Sequence, residues 1–161
     1  MEVEGDTAAF EDGEPFAVSY EIDLDDEWRT RRGVVRGRSR SGRRERVIEA
    51  DGEGSWRVDG RPAADLDGCL DLDLESSAMT NAFPARRLRL AVGAAADAPA
   101  AYVRALDLGV ERLDQSYRRL DDGDGGQRLD YAAPAFDFAC VLEYDASGVV
   151  VAYPGIAERR A

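Results

Sequence analysis

The sequence predicts a mainly β protein, an antiparallel sheet, sandwich or partial barrel, and three observations carry that prediction. Two segments alternate with period two. Phe16, Val18, Tyr20, Ile22 and Leu24 are interleaved with Ala17, Ser19, Glu21 and Asp23, and Phe136, Phe138, Cys140, Leu142 and Tyr144 with Asp137, Ala139, Val141 and Glu143. Such alternation places one set on a buried face and the other on a wetter one. Turn dipeptides recur along the chain: Asp12-Gly13, Ser41-Gly42, Asp51-Gly52, Asp59-Gly60, Asp67-Gly68, Asp122-Gly123 and Ser147-Gly148. Closely spaced turns between short apolar runs indicate antiparallel strands. Helical pattern, by contrast, is sparse.

Taken in order, residues 1–14 read as irregular and 16–24 as the first strand. Further strands are expected at 28–38, 44–49, 55–58, 69–74, 88–92, 102–106, 110–120, 128–131, 136–144 and 149–153. The best helix candidate is 76–83, with Ser76 or Ser77 as cap, Met79 and Phe83 on one face, and Pro84 as its end. The Ala-rich stretch 94–101 is an alternative helix, interrupted by Pro99. Residues 121–126 read as a flexible loop. With 161 residues, no repeat and no long linker, one domain over 1–161 is expected.

Composition excludes several chemistries. Histidine is absent, which removes Ser-His-Asp and Cys-His triads, histidine bases and most zinc sites. Cys69 and Cys140 sit among apolar neighbours and read as buried small hydrophobes rather than a disulfide framework. The formal charge is -12, and every basic residue is an arginine. Such acidity opposes nucleic-acid or anionic-membrane binding. It fits either a high-salt cytoplasm or a coding bias toward Arg, Ala, Gly and Asp. No basic-then-apolar leader follows Met1, and no apolar run approaches the roughly 18 residues of a membrane helix. A cytoplasmic protein with no integral membrane segment is expected.

Two constellations stand out. On a strand, Asp71 and Asp73 face one way, and Leu70, Leu72 and Leu74 the other. Arg86 and Arg87 follow a proline and would return toward those carboxylates. A structural ion-pair network weighs slightly more than a ligand role. Between Arg29 and Arg46 stand nine arginines and one acid, Glu45. A hairpin turning at 39–42 would put Arg36, Arg38 and Arg40 on one face, a ribbon able to clamp phosphates or an anionic head group. Pairing with neighbouring acidic strands is the favoured reading. RNA is disfavoured because interleaved aromatics are missing.

Several motifs in order carry a resemblance: GCLDLDL at 68–74, TNAFPARRLRL at 80–90, Gln115-Ser116-Tyr117 and GVVVAYPG at 148–155, with DDEWRTR at 25–31 before them. The chain resembles the family named for glycolipid binding, which began as a domain of unknown function. The match runs from about Pro15 onward. The resemblance implies a long, curled antiparallel sheet, a β-roll or half-barrel wrapped around one α-helix. That shape is similar to bacterial lipoprotein-localisation carriers. It also implies a homodimer. The chain departs from the family pattern at Ser77-Ala78, where Thr-Pro is usual, and at Ala85, where Ile is usual. Its N-terminus reads as short by a strand or two.

A curled sheet that one helix cannot fill would leave an apolar groove with a few polar groups, the usual build of a small-molecule site. The residues expected to read a head group are Asp71, Asp73, Asn81, Arg86, Arg87, Gln115 and Tyr117, with Tyr131, Tyr153 and Trp28 offering aromatic faces. The leading expectation is therefore a non-catalytic binding or carrier protein for an amphipathic, glycolipid-like small molecule, with no cofactor and no metal. Two alternatives are an enzyme using Asp71 and Asp73 on a sugar or phosphate substrate, and a ligand-free dimeric scaffold.

Overall fold

A computed structural model describes residues 1–11, 13–123 and 126–160. Asp12 of the first expected turn, and residues 124 and 125 of the expected loop, lie outside them. The strands in chain order are β1 (Glu2–Glu11), β2 (Glu14–Leu24), β3 (Thr30–Ser39), β4 (Gly42–Ala50), β5 (Trp56–Val58), β6 (Arg61–Pro62) and β7 (Asp71–Leu74). The α-helix α1 (Ala82–Leu88) follows. Then come β8 (Ala95–Asp97), β9 (Ala100–Val103), β10 (Val110–Leu113), β11 (Ser116–Arg119), β12 (Arg128–Ala133), β13 (Phe138–Tyr144), β14 (Val150–Tyr153) and β15 (Ala157–Glu158). The fold is mainly β, with large antiparallel sheets that do not close into a barrel and one α-helix among the described residues.

The chain forms two compact units. The first comprises Met1–Ser77 and Ala100–Arg112. Its main sheet is an antiparallel meander, β1 to β6 in chain order. β2 keeps the alternation its sequence shows: Phe16, Val18, Tyr20, Ile22 and Leu24 are all buried. Val35 and Ile48, on β3 and β4, join them in the core. β7 pairs in parallel with β9, from Asp71 opposite Ala100 to Leu74 opposite Val103, unlike the antiparallel pairing of the main sheet. Gly33 on β3 is required by a close approach, since a Cβ there would stand 2.5 Å from Leu72 Cδ2. The second unit comprises Ala78–Pro99 and Leu113–Ala161. Its sheet runs β15-β14-β13-β12-β11-β8. Leu129, Tyr131, Leu142 and Tyr144 form its buried face.

Several expectations need correction. Residues 1–14 are not irregular: β1 pairs with β2 along its length, from Glu2 opposite Asp23 to Glu11 opposite Glu14. Small residues and acids lower strand propensity, but a long partner overrides that. The helix begins later than expected. A 3-10 turn covers Ala78–Asn81, and α1 starts at Ala82, so Pro84 lies in its first turn. Proline is tolerated there because first-turn N–H groups lack an intrahelical acceptor. The Ser77 Oγ lies 2.9 Å from the Tyr20 hydroxyl. No strand forms at 88–92, where the helix ends at Leu88 and Arg89 takes a left-handed φ of 45°. The Ala-rich stretch is β8 and part of β9, not a helix. The run 110–120 splits into β10 and β11, and Phe136 lies in a 3-10 turn before β13.

Three hairpin loops share one device that the sequence reading missed. Asp25 Oδ1 accepts hydrogen bonds from the N–H groups of Glu27 and Arg29, both at 2.9 Å. Asp51 Oδ1 accepts from Glu53 and Ser55 at 2.7 and 3.0 Å. Asp145 Oδ1 accepts from Ser147 and Val149 at 2.9 and 3.0 Å. In each loop the fourth residue, Trp28, Gly54 or Gly148, has a positive φ. Register shifts fall at the same place in two of them, between Asp23 and Leu24 and between Glu143 and Tyr144.

The Asp145 carboxylate is held well below the usual carboxylate range, first by the Ser147 side chain, then by the Val149 N–H and Arg159. A depressed carboxylate contributes stability that is complete above the unfolded value near pH 4 and lost as pH falls through the folded value. Asp145→Ala should therefore lower the urea midpoint at pH 7, and its difference from wild type should shrink below about pH 4. A difference independent of pH would show that the carboxylate does not pin the loop.

Candidate ligand-binding sites

Five expected site residues converge in the second unit. Asn81 precedes α1 without capping it, and its Oδ1 instead accepts a 2.9 Å hydrogen bond from the Tyr117 hydroxyl. Its backbone carbonyl accepts from the Tyr144 hydroxyl at 3.1 Å. Gln115 shares a face with Tyr117, two residues on, and its Oε1 accepts from the Tyr131 hydroxyl at 2.9 Å. Tyr117 and Tyr131 are cross-strand partners with ring centroids 5.2 Å apart. Tyr153 meets Tyr131 edge-on at 5.8 Å. Phe138 lies 5.9 Å from the Tyr153 ring. The amides and tyrosines are buried: Asn81 is 4%, Gln115 3% and Tyr117 1% exposed. Each amide oxygen is committed as an acceptor, so the cluster is pre-organised.

The other expected residues lie elsewhere. Arg86 and Arg87 occupy the last turn of α1, where cations complement the helix dipole. The Arg86 guanidinium packs against Gly148, where a Cβ would stand 3.0 Å from Nε. Asp71 and Asp73 sit on β7 of the first unit, 1% and 6% exposed. All four residues of that strand are buried, so neither face is wet. Thr30 Oγ1 accepts the Leu72 N–H at 2.9 Å. Trp28 is half-buried in the β2–β3 loop. Cys69 is buried and Cys140 half-buried, and both are free thiols. Burial, then the charge of Asp130, pushes the Cys140 thiol up to about 11, so it stays protonated at neutral pH.

An open groove lies on the first unit's main sheet, with a volume of about 780 Å³. It crosses β1 to β4, and cross-strand register fixes which side chains share its face. One row runs Asp6, Ser19, Arg36, Glu45, and the next on the same face runs Ala8, Ala17, Arg38, Arg43. The row between them, with buried Val18, points to the core side. Arg36 donates to Glu21 at 2.6 Å and to Glu45 at 2.7 Å, and these carboxylates hold its pKa above the usual value. Arg46 pairs with Asp59 at 3.2 Å. The favoured pairing reading therefore holds for Arg36 and Arg46. Local alternation places Arg36 and Arg38 on one face, whereas the alanine floor needs Ala8 from β1, whose sequence shows no strand pattern.

Comparison with known proteins decides the family. A family model described as "Putative glycolipid-binding" matches residues 1–159. The chain belongs to this family. It is also similar to a crystal structure of a DUF1089 family protein from Pseudomonas aeruginosa, at 33% identity and a TM-score of 0.87, over 99% of this chain and 91% of that one. No curated protein matches the sequence.

Within this family member, the tyrosine–amide cluster makes a direct prediction. Tyr117→Phe leaves the buried Asn81 Oδ1 without that donor and should cost about 1–3 kcal/mol. Urea unfolding followed by circular dichroism measures it. An unchanged midpoint would show that the bond contributes nothing.

Proposed function

We propose that the protein binds an amphipathic, glycolipid-like small molecule and acts as a carrier or binding protein rather than an enzyme. The observation that carries this reading is the groove on the β1–β4 face. Its volume, about 780 Å³, lies in the range of ligand sites. Ala8 and Ala17 give it a small apolar floor, and charged side chains form its walls. Family membership supports the same chemistry. The tyrosine–amide cluster, with Asn81, Gln115, Tyr117, Tyr131 and Tyr153, is buried and internally hydrogen-bonded, so the reading rests on the groove and not on this cluster.

The carboxylate-pair alternative draws no support from the groove, since Asp71 and Asp73 are not among its lining residues. We place the protein in the cytoplasm, where free Cys69 and Cys140 suit a reducing compartment. We also read it as a homodimer. β1 is an edge strand of its sheet, and such an edge is a template for pairing with a second copy. Among the described residues no helix is long and apolar enough to cross a membrane. The strongly acidic chain does not suit nucleic acid.

A ligand that binds the native state raises the unfolding temperature with its concentration. Dodecyl maltoside, kept below micelle formation, should raise the melting temperature and appear as a bound adduct in native mass spectrometry. No shift and no adduct, with dodecyl maltoside and with total bacterial lipid extract alike, would sink the reading.

A further inference from the structure

We infer that the β1–β4 groove is an anion clamp, with Arg38 and Arg43 gripping a phosphate or other oxyanion whose attached chain lies along Ala8 and Ala17. This rests on reading the groove as the ligand site and adds the charge of the head group. Arg38 and Arg43 are direct cross-strand partners at the end of the β3–β4 hairpin. Like charges placed directly opposite on one sheet face repel and destabilise the pair. Arg36, in the next row on the same face, is bridged by two carboxylates. Among the described residues neither Arg38 nor Arg43 has an ion pair, and both are exposed. A bound oxyanion would relieve the repulsion and fit the planar donor fork of each guanidinium.

The surroundings restrict what fits. Arg44 also lines the groove, but its register position alternates with that of Arg43 and it acts on Asp107. Glu45 is already held by Arg36. Asp6 stands in the other row, on β1, two strands from β3. Asp6 therefore lies away from the arginine pair, and Glu45, in the adjacent row, is committed to Arg36. Ala8 and Ala17 continue the Arg38–Arg43 row as a floor of methyl groups. Phe10, 70% exposed, is two residues beyond Ala8 on the same strand face. One end of the row is cationic and the other apolar, the complement of an anionic amphiphile. The chain's charge of -12 opposes extended polyanions, so the clamp suits a compact, singly anchored head group.

Calorimetric titration tests this with dodecyl phosphate, dodecyl maltoside and inorganic phosphate as probes. The double variant R38Q/R43Q should bind dodecyl phosphate roughly tenfold or more weakly than wild type, the loss expected for charge-assisted hydrogen bonds. Its affinity for dodecyl maltoside, whose head group carries no charge, should fall by a smaller factor than its affinity for dodecyl phosphate. R57Q/R61Q removes the same net charge from the same sheet outside the groove and should leave dodecyl phosphate binding unchanged. Unaltered binding by R38Q/R43Q, or equal weakening by both double variants, would overturn the clamp while leaving amphiphile binding in place. Inorganic phosphate binding as tightly as dodecyl phosphate would overturn the role of the apolar floor. Failure of both dodecyl probes to bind wild type would overturn the clamp and the carrier reading together.

Discussion

The whole arrangement depends on register. Side chains alternate faces with a period of two, so a slip of one residue would turn every core residue of a strand toward water. In the first unit that would expel Phe16, Val18, Tyr20, Ile22 and Leu24 together. Hydrophobic pattern alone sets the face but not where a hairpin must turn. Asp25, Asp51 and Asp145 supply that information, because each carboxylate fixes two backbone N–H groups of its own loop. A carboxylate accepting backbone N–H groups favours a single loop geometry over its competitors. Two of the loops also place a register shift one residue before the aspartate, which re-aims the strand as it enters the turn.

The same logic explains what the sequence could and could not reveal. β2 and the second half of β13 were legible because their alternation is nearly pure. The β3–β4 hairpin was legible from Ser41-Gly42, and the structure turns there, with Ser39 opposite Gly42. β1 was not legible. Its sequence, EVEGDTAAFE, carries few large apolar residues, and its strand state comes from its partner. Gly5 belongs to that pairing: it makes room for the Tyr20 ring, so a position that looks like a strand breaker is a packing requirement. The helix was legible as a place but not in its limits. Pro84 reads as an end signal when its position in the first turn is unknown.

Among the candidate site residues, spacing identified pairs better than partners. Gln115 and Tyr117 were placed on one face, and both prove buried. Their partners, Tyr131 and Asn81, come from β12 and from the turn before α1. Those contacts span 16 and 36 residues and cannot be read from local pattern. The Asp71 and Asp73 alternation misled in one respect, because a parallel strand is buried on both sides even where its sequence alternates. The first unit's groove was hidden for a different reason: it is assembled from rows that cross four strands, so no single segment contains it.

The rows also show why one sheet can carry a core and a site without conflict. Adjacent rows of the β1–β4 sheet point to opposite faces, so Val18 and its neighbours can be optimised for packing independently of Arg38 and Arg43. Changes on the outer row cost little stability, because exposed side chains away from caps and cores shift folding by about 0.5 kcal/mol or less. An unrelieved arginine pair on such a row therefore has no folding purpose to offset its repulsion. Other devices in this unit are matched to a partner: aspartates to loop N–H groups, Arg36 to two carboxylates, Gly33 to Leu72. Where local rules are broken inside an otherwise consistent sequence, the exception marks function. On the proposed reading, the unrelieved arginine pair, rather than the size of the groove, is what selects an anionic guest.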